Sequence, residues 1–158
     1  MSCRRAFRFL WVFVVALTAM LPARAFAELG GDVRSVERDR VRMKATITVR
    51  QTERYAVHEM KLDSGRAVRE FATPEGKIFA VAWQGSFHPD YRQLLGSYFT
   101  QLQQAAARAA QQRRPRRAPV MIDTPGFVFQ SLGHLRGLAG RAYVPHMLPA
   151  GVRVEEIQ

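Results

Sequence analysis

The chain has 158 residues, of which 47% are apolar, so it can form one packed domain, and wholesale disorder is excluded. Its 24 Lys and Arg outnumber its 13 Asp and Glu, for a formal charge of +11. The single cysteine excludes an internal disulfide framework and any multi-cysteine zinc site.

Residues 1–27 have the three parts of a secretory signal peptide. Three arginines among the first eight residues form a positive start, and the apolar residues 9–21 follow. Ala25 and Ala27 supply small residues at positions −3 and −1 of a cleavage site. As a helix, the apolar run would span only about 20 Å, too short for a hydrocarbon core of about 30 Å. We therefore predict cleavage near Ala27 and a periplasmic or secreted product.

The export route stays open between two alternatives. Arg4 and Arg5 resemble the paired arginines of the twin-arginine signal. Cys3 stands where that signal usually has Ser or Thr, and the strongly apolar core of the segment favours general secretion.

Strands are predicted after a lead-in arm at 28–39, where a glycine pair and mixed charges interrupt any apolar periodicity. Apolar and polar residues alternate strictly over 40–50, which indicates a strand with one buried face. Further strands are predicted at 55–62, 66–73 and 77–84. Residues 78–83 are apolar at every position, so we expect this strand at the centre of the sheet. The short turns between strands predict an antiparallel meander.

One long helix is predicted from Pro89 to about Gln112. Large apolar residues recur along its first half at spacings of three and four. Pro89 suits a first helical turn, and Ser86 or His88 would cap it. Pro115 ends the pattern.

Three strands are predicted after the helix, at 120–122, 127–132 and 135–144, with a turn at Gly133-His134. The element order predicts one α+β domain over 40–158, with a basic helix end and loop at 108–119. In this fold, a curved antiparallel sheet has about four strands before the helix and about three after it. The helix packs on one face.

Six separated segments together resemble a known family: residues 29–31 (LGG), 68–71 (VREF), 79–85 (FAVAWQG), 89–99 (PDYRQLLGSYF), 130–136 (QSLGHLR) and 140–145 (GRAYVP). The chain is similar to the small exported bacterial proteins grouped as domain of unknown function 2844. The resemblance covers nearly all of residues 28–158 and implies a bacterial envelope protein. It carries over no catalytic or ligand residue.

No catalytic or metal constellation is visible in the sequence. His58, His88, His134 and His146 show no metal-ligand spacing, so neither a metal nor a cofactor is predicted. Ser131 and His134 lie too close along one hairpin for a triad. Glu70 and Asp123 form a carboxylate pair only if the fold brings them together.

The basic charge is concentrated in a short stretch, which contains Arg108, Arg113, Arg114, Arg116 and Arg117. Removing the signal leaves +7, and the domain outside this stretch carries only +2. Export removes nucleic acid as a partner. Contact of Arg113, Arg114, Arg116 and Arg117 with an anionic lipid surface is one interpretation, and a solvated helix end is the other.

A second candidate binding group lies on the predicted last hairpin, where Arg136, Arg141 and Tyr143 accompany several glycines. Glycines within strands accompany bulges, sheet curvature or the close approach of a ligand. We expect a non-enzymatic binding or assembly factor whose partner is an unidentified envelope protein or polymer. The alternative is a carrier of a small apolar ligand, with a cavity of roughly 300 Å³. An enzyme is the third choice.

Overall fold

The computed structural model describes residues 28–86, 88–111, 120–134 and 137–158. Its strands are β1 (Thr46–Gln51), β2 (Ala56–Lys61), β3 (Ala67–Ala72), β4 (Ile78–Gly85), β5 (Val120–Thr124), β6 (Phe127–His134) and β7 (Gly137–Tyr143). They form one antiparallel sheet in the order β1-β2-β3-β4-β7-β6-β5, which is not closed. The predicted α+β class and antiparallel sheet are confirmed.

The α-helices are α1 (Val36–Met43), α2 (Tyr91–Leu95) and α3 (Phe99–Gln111). The described residues also form 3₁₀ turns at Val33–Ser35, Gly96–Tyr98, Pro145–Met147 and Val154–Glu156. Within the part of the chain that the structure describes, no helix is long and apolar enough to cross a membrane.

Strand β4 is the central strand of the sheet, as its apolar run predicted. It is fourth of the seven strands, and every residue from Ile78 to Trp83 is buried. β4 contains a bulge opposite β3. Phe71 of β3 pairs with Ala80, whereas the next residue, Ala72, pairs with Ile78, so Phe79 is an extra residue in β4. Phe79 and Ala80 consequently pack in the same cluster.

The two faces of the sheet have different covers. The face that we call the helix side carries Val68, Val81 and Trp83, against which α2 and α3 pack Leu94, Leu95 and Leu102. The opposite face, the tail side, carries Val57, Phe71 and Ala80. The C-terminal tail, residues 145–158, covers it with Met147, Leu148, Val152 and Ile157.

The predicted strand over 40–50 is wrong in its first part, where α1 runs to Met43 and β1 begins only at Thr46. Val36 and Met43 pack into the helix-side core, whereas Val41 is 63% exposed. Lys44, at φ +51°, ends the helix in the left-handed conformation. Met43 fits both a two-residue and a helical repeat, so the alternation did not separate the two structures.

Residues 28–33 pack tightly against the domain. Leu29 is fully buried, and its N–H donates to the Leu94 carbonyl. Gly30 and Gly31 exchange backbone hydrogen bonds with Ile78. This start of the described chain therefore joins the end of α2 to β4.

The predicted long helix is interrupted. Gly96 has φ +52°, and a 3₁₀ turn separates α2 from α3. Neither Ser86 nor His88 is the cap, because Asp90 Oδ1 accepts from the N–H groups of Arg92 and Gln93. Asp is among the best N-cap residues, and Pro89 lies just outside the helix.

The predicted turn at Gly133-His134 is also misplaced. Gly133 pairs with Leu138 and His134 with Gly137, so both residues belong to β6. Gly133 favours a turn in the sequence, but here it lies within the β6–β7 ladder.

Candidate functional site

A cleft of about 270 Å³ opens on the helix side, where the end of β4 meets the start of α2. Val68 and Trp83 form its buried wall, and Met43 and Leu62 add half-buried apolar surface. Its polar members are the half-buried Arg66 and Gln93 and the exposed Gln84 and Asp90. The cleft thus combines an apolar interior with charged and amide groups, as binding sites for small molecules do.

The Trp83 indole is held in place from several sides. Its ring centroid lies 5.3 Å from that of Tyr91 and 5.4 Å from that of Phe129. A Cβ atom at Gly140 would lie only 2.4 Å from Cζ2 of this ring. The glycine in β7 therefore permits the close approach of Trp83.

The Tyr91 hydroxyl joins two elements beside the cleft. It lies 2.7 Å from His88 Nδ1 and 3.5 Å from Ser131 Oγ on β6. Burial raises the pKa of this phenol, and the Ser131 hydroxyl and Trp83 indole oppose that rise. The phenol therefore keeps its proton at neutral pH.

Arg66 is oriented by contacts along its stem. Its Nε donates to Ser64 Oγ at 2.8 Å. Its side chain crosses Gly85 so closely that a Cβ atom there would lie 2.6 Å from Arg66 Cγ. These contacts involve the aliphatic stem and Nε of Arg66. Neither of them involves the two terminal nitrogens of its guanidinium.

Asp90 brings the opposite charge to the same cleft. Its Oδ1 is engaged by the first backbone N–H groups of α2, at 2.9 and 3.3 Å. Among the described residues, no ion pair within 4.0 Å joins Asp90 to Arg66. The cleft therefore presents a cation and an anion that do not neutralise each other by direct contact.

Comparison with known proteins identifies the family. The family model described as a protein of unknown function, DUF2844, matches residues 25–157. The chain belongs to this family. No curated protein and no solved structure matches it. The resemblance that six segments indicated is thereby confirmed for DUF2844.

The structure of this DUF2844 chain places Arg141 and Tyr143 on the tail side, away from the cleft. Arg141 Nε donates to Gln130 Oε1 at 2.8 Å, and Nη1 donates to the Val154 carbonyl at 2.6 Å. Arg141 therefore fastens the C-terminal tail to the sheet. Tyr143 is half-buried against the same tail. Arg136 lies outside the described residues, so binding by this group stays a prediction.

The four arginines predicted to contact an anionic surface, Arg113, Arg114, Arg116 and Arg117, also lie outside the described residues of this DUF2844 chain. Their contact with a lipid surface remains a prediction from sequence.

The suggested carboxylate pair is not assembled. Glu70 is buried on the helix side of β3, directly opposite His58 of β2. Asp123 is exposed on β5, beside the helix-side residue Ile122, and therefore on the tail side. The two carboxylates consequently lie on opposite faces of the sheet. In the described ranges, no group of three His, Cys, Asp or Glu residues is placed to hold a metal.

Sequence reasoning missed Arg66, Asp90 and the Tyr91–Ser131 contact. The available signal was Trp83, a large aromatic residue at the end of the central strand, shortly before Gly85 and a helix start. Trp83 marks the position of the cleft, but its presence in the sequence does not specify which later strand lies beside β4.

Proposed function

We propose that the chain is an exported protein of the bacterial cell envelope that works by binding, and that the cleft beside Trp83 receives its partner. The observation that supports this proposal is the 270 Å³ opening, in which Trp83 and Val68 adjoin Arg66 and Asp90. An opening of this size accepts one side chain or another group of residue size. The signal-like residues 1–27 support the envelope location.

The groups around the cleft favour binding over catalysis. Tyr91 carries a raised pKa, so its phenol is a poor base, and Asp90 Oδ1 is committed to capping α2. The described contacts supply donors and acceptors that orient a bound group.

A carrier of a small apolar ligand is the second candidate. It is favoured by the apolar part of the cleft, Met43, Leu62, Val68 and Trp83. The volume lies near the lower limit of about 300 Å³ for small-molecule sites, so a carrier would take a small ligand. An enzyme is the third candidate, and it requires hydrolysis of an ester, peptide or glycan by the purified protein at enzyme-like rates.

A photo-crosslinking amino acid at Gln93, on the cleft, tests the proposal in intact cells. The matched control carries the same group at Gln104, on the exposed face of α3. A defined adduct at Gln93 but not at Gln104 is expected, and Leu62→Phe should abolish it by filling the cleft. Mass spectrometry of the adduct then distinguishes the candidates, because a polypeptide or glycan indicates an assembly partner and a small added mass indicates a carrier.

Equal labelling at Gln93 and Gln104, or labelling that Leu62→Phe leaves unchanged, would contradict a role of the cleft. Circular dichroism of the Leu62→Phe variant confirms that it is folded. Leu62 is half-buried, so the added ring has room to enter the cleft without displacing the buried core.

A further inference from the structure

We infer that the cleft takes a small zwitterion, an α-amino acid with an apolar side chain, whose carboxylate binds Arg66 and whose ammonium group binds Asp90. The inference rests on the proposed function of the cleft and names the chemical class of its ligand. It depends on which atoms of Arg66 and Asp90 are engaged and on the apolar surface between them.

The carboxylate half of the site is Arg66. Ser64 engages Nε, which sets the direction of the side chain, and the stem is packed against Gly85. No ion pair to Arg66 is present in the described part of the chain. Arg66 lines the cleft, and a guanidinium binds a carboxylate through two parallel hydrogen bonds, which are shorter and stronger than neutral ones.

The ammonium half of the site is Asp90. The backbone N–H groups of Arg92 and Gln93 both bind Oδ1, so they fix the carboxylate and leave Oδ2 as its second acceptor. Asp90 lines the same cleft as Arg66 and is exposed to solvent, so its charge is accessible. A ligand with one positive and one negative group can pair with both Asp90 and Arg66, whereas a ligand with a single charge can pair with only one of them.

The rest of the ligand is expected to be apolar. Leu62 and Val68 adjoin Trp83 in the cleft, and all three offer hydrocarbon or aromatic surface. The volume of about 270 Å³ favours one residue over a longer chain. A branched aliphatic side chain such as that of leucine would remove this surface from water.

Leucine and two of its derivatives separate the two charges experimentally. N-acetylleucine keeps the carboxylate without the ammonium group, and leucinamide keeps the ammonium group without the carboxylate. In the full chain carrying Trp11→Phe, Trp83 is the sole tryptophan, so its fluorescence reports occupancy of the cleft. We expect leucine to bind about tenfold or more tightly than either derivative, because each lost charged hydrogen bond costs about 1.5–3 kcal/mol.

Two substitutions assign the charges to their residues. Arg66→Gln should make leucine and leucinamide bind equally, and Asp90→Asn should make leucine and N-acetylleucine bind equally. Asn is as good an N-cap as Asp, so the second variant keeps α2 intact. The controls Arg153→Gln and Asp123→Asn alter exposed charges on the tail or tail side and should leave all three affinities unchanged.

If N-acetylleucine or a leucine-ended peptide binds as tightly as leucine, the zwitterion inference is overturned and the cleft remains a binding site. If none of these compounds changes Trp83 fluorescence or competes with the Gln93 adduct, the inference is overturned while the adduct still supports the proposed function. Loss of both the fluorescence response and the specific adduct would overturn the two together. Should Arg66→Gln fail to fold, Arg66→Lys replaces it, with a reduced preference for leucine over leucinamide expected.

Discussion

At the scale of single residues, packing is tight where β7 passes under Trp83. The absence of a side chain at Gly140 leaves space for the indole, and the Gln130 carbonyl of β6 approaches the same position from the next strand. The glycine thus has a packing role, not a ligand role. The position of the buried aromatic wall of the cleft depends on it.

We predict that Gly140→Ala destabilises the fold by about 1–3 kcal/mol, the usual cost of overpacking a filled core. The added Cβ would lie 2.4 Å from the Trp83 ring and 2.6 Å from the Gln130 carbonyl oxygen, so something must shift. Urea unfolding followed by Trp83 fluorescence measures the change. Gly126→Ala is the control, because open space surrounds that position, and it should stay within about 0.5 kcal/mol of the parent. Equal effects of the two substitutions would contradict the packing role.

A second residue-scale prediction concerns the cap of α2. Asp90→Ala should cost about 1 kcal/mol, because the N–H groups of Arg92 and Gln93 lose their shared acceptor. Asp90→Asn should cost much less, since its amide oxygen accepts the same bonds. Urea midpoints of the two variants provide the comparison. Equal losses would show that the charge of Asp90, and not its capping oxygen, stabilises the helix start.

Elements of the fold are joined across the sheet by a few long polar side chains. On the tail side, Arg141 joins β7 to the C-terminal tail, and Arg69 joins β3 to Glu59 of β2. The two arginines flank Ala82 of β4 directly in the register. The Arg69 contact therefore stabilises the pairing of β2 with β3, and the Arg141 contact stabilises the tail on β7. Apolar burial alone does not specify either arrangement.

Arg141→Met should loosen the C-terminal tail. The hydrogen bond from Arg141 Nη1 to the Val154 carbonyl involves a charged donor, a class of bond worth about 1.5–3 kcal/mol. Backbone amides of Glu156 and Ile157 should exchange with solvent about tenfold or more faster, as measured by hydrogen exchange. Arg50→Met, on the exposed edge strand, is the control and should leave these amides unchanged. Unchanged exchange in Arg141→Met would contradict this role and would show that the other tail contacts, such as the Tyr55–Glu156 hydrogen bond and the packing of Ile157, hold the tail without Arg141.

The Glu59–Arg69 contact predicts a pH dependence. Burial raises the pKa of Glu59, but Arg69 at 2.9 Å and Lys61 at 3.5 Å outweigh it, so the pKa falls below its ordinary 4.5. Because the folded pKa is lowered, this stabilisation is present above pH 4.5 and is lost as pH falls through the folded pKa. Urea unfolding at decreasing pH measures the loss in free energy of unfolding. Glu59→Gln should reduce that loss by about 1 kcal/mol or less. The exposed control Glu53→Gln should retain the full slope.

Sequence patterns located β2, β3 and β4 to within one or two residues. A continuous apolar run marked β4 as the central strand, and Gly65 and Gly76, both at positive φ, ended the turns between the three strands. Patterns failed where one residue satisfied two periods, as Met43 did. They also failed at Leu29, because a buried residue in a short irregular segment has no period to reveal it.

At the scale of the whole molecule, the candidate site depends on strand order. Tyr91 and Ser131 lie forty residues apart and meet because β7 and β6 follow β4 in the sheet. Hydrophobic patterning predicted the strands but not their order, because the same alternation is satisfied by several neighbours. The support that Ser131 and Gly140 give to the aromatic wall behind the cleft was therefore not predictable from the sequence.

Export is the prediction that concerns the chain as a whole. Protein recovered from the periplasm should lack residues 1–27 and begin at Glu28, as its intact mass will show. Ala25→Leu should block cleavage, because position −3 requires a small residue. Ala23→Leu, outside that position, should be cleaved normally. Retention of residues 1–27 in the exported protein would contradict the predicted signal.

The docking of Leu29 has a consequence for the order of events during synthesis. A ribosome completes Leu29 early, yet the carbonyl that its N–H requires belongs to Leu94, which is made only after four strands have followed. Until then the segment has no site to occupy, and a processing enzyme or a chaperone has free access to it. The first described residues of the chain thus reach their final position only after β4 and α2 have been made.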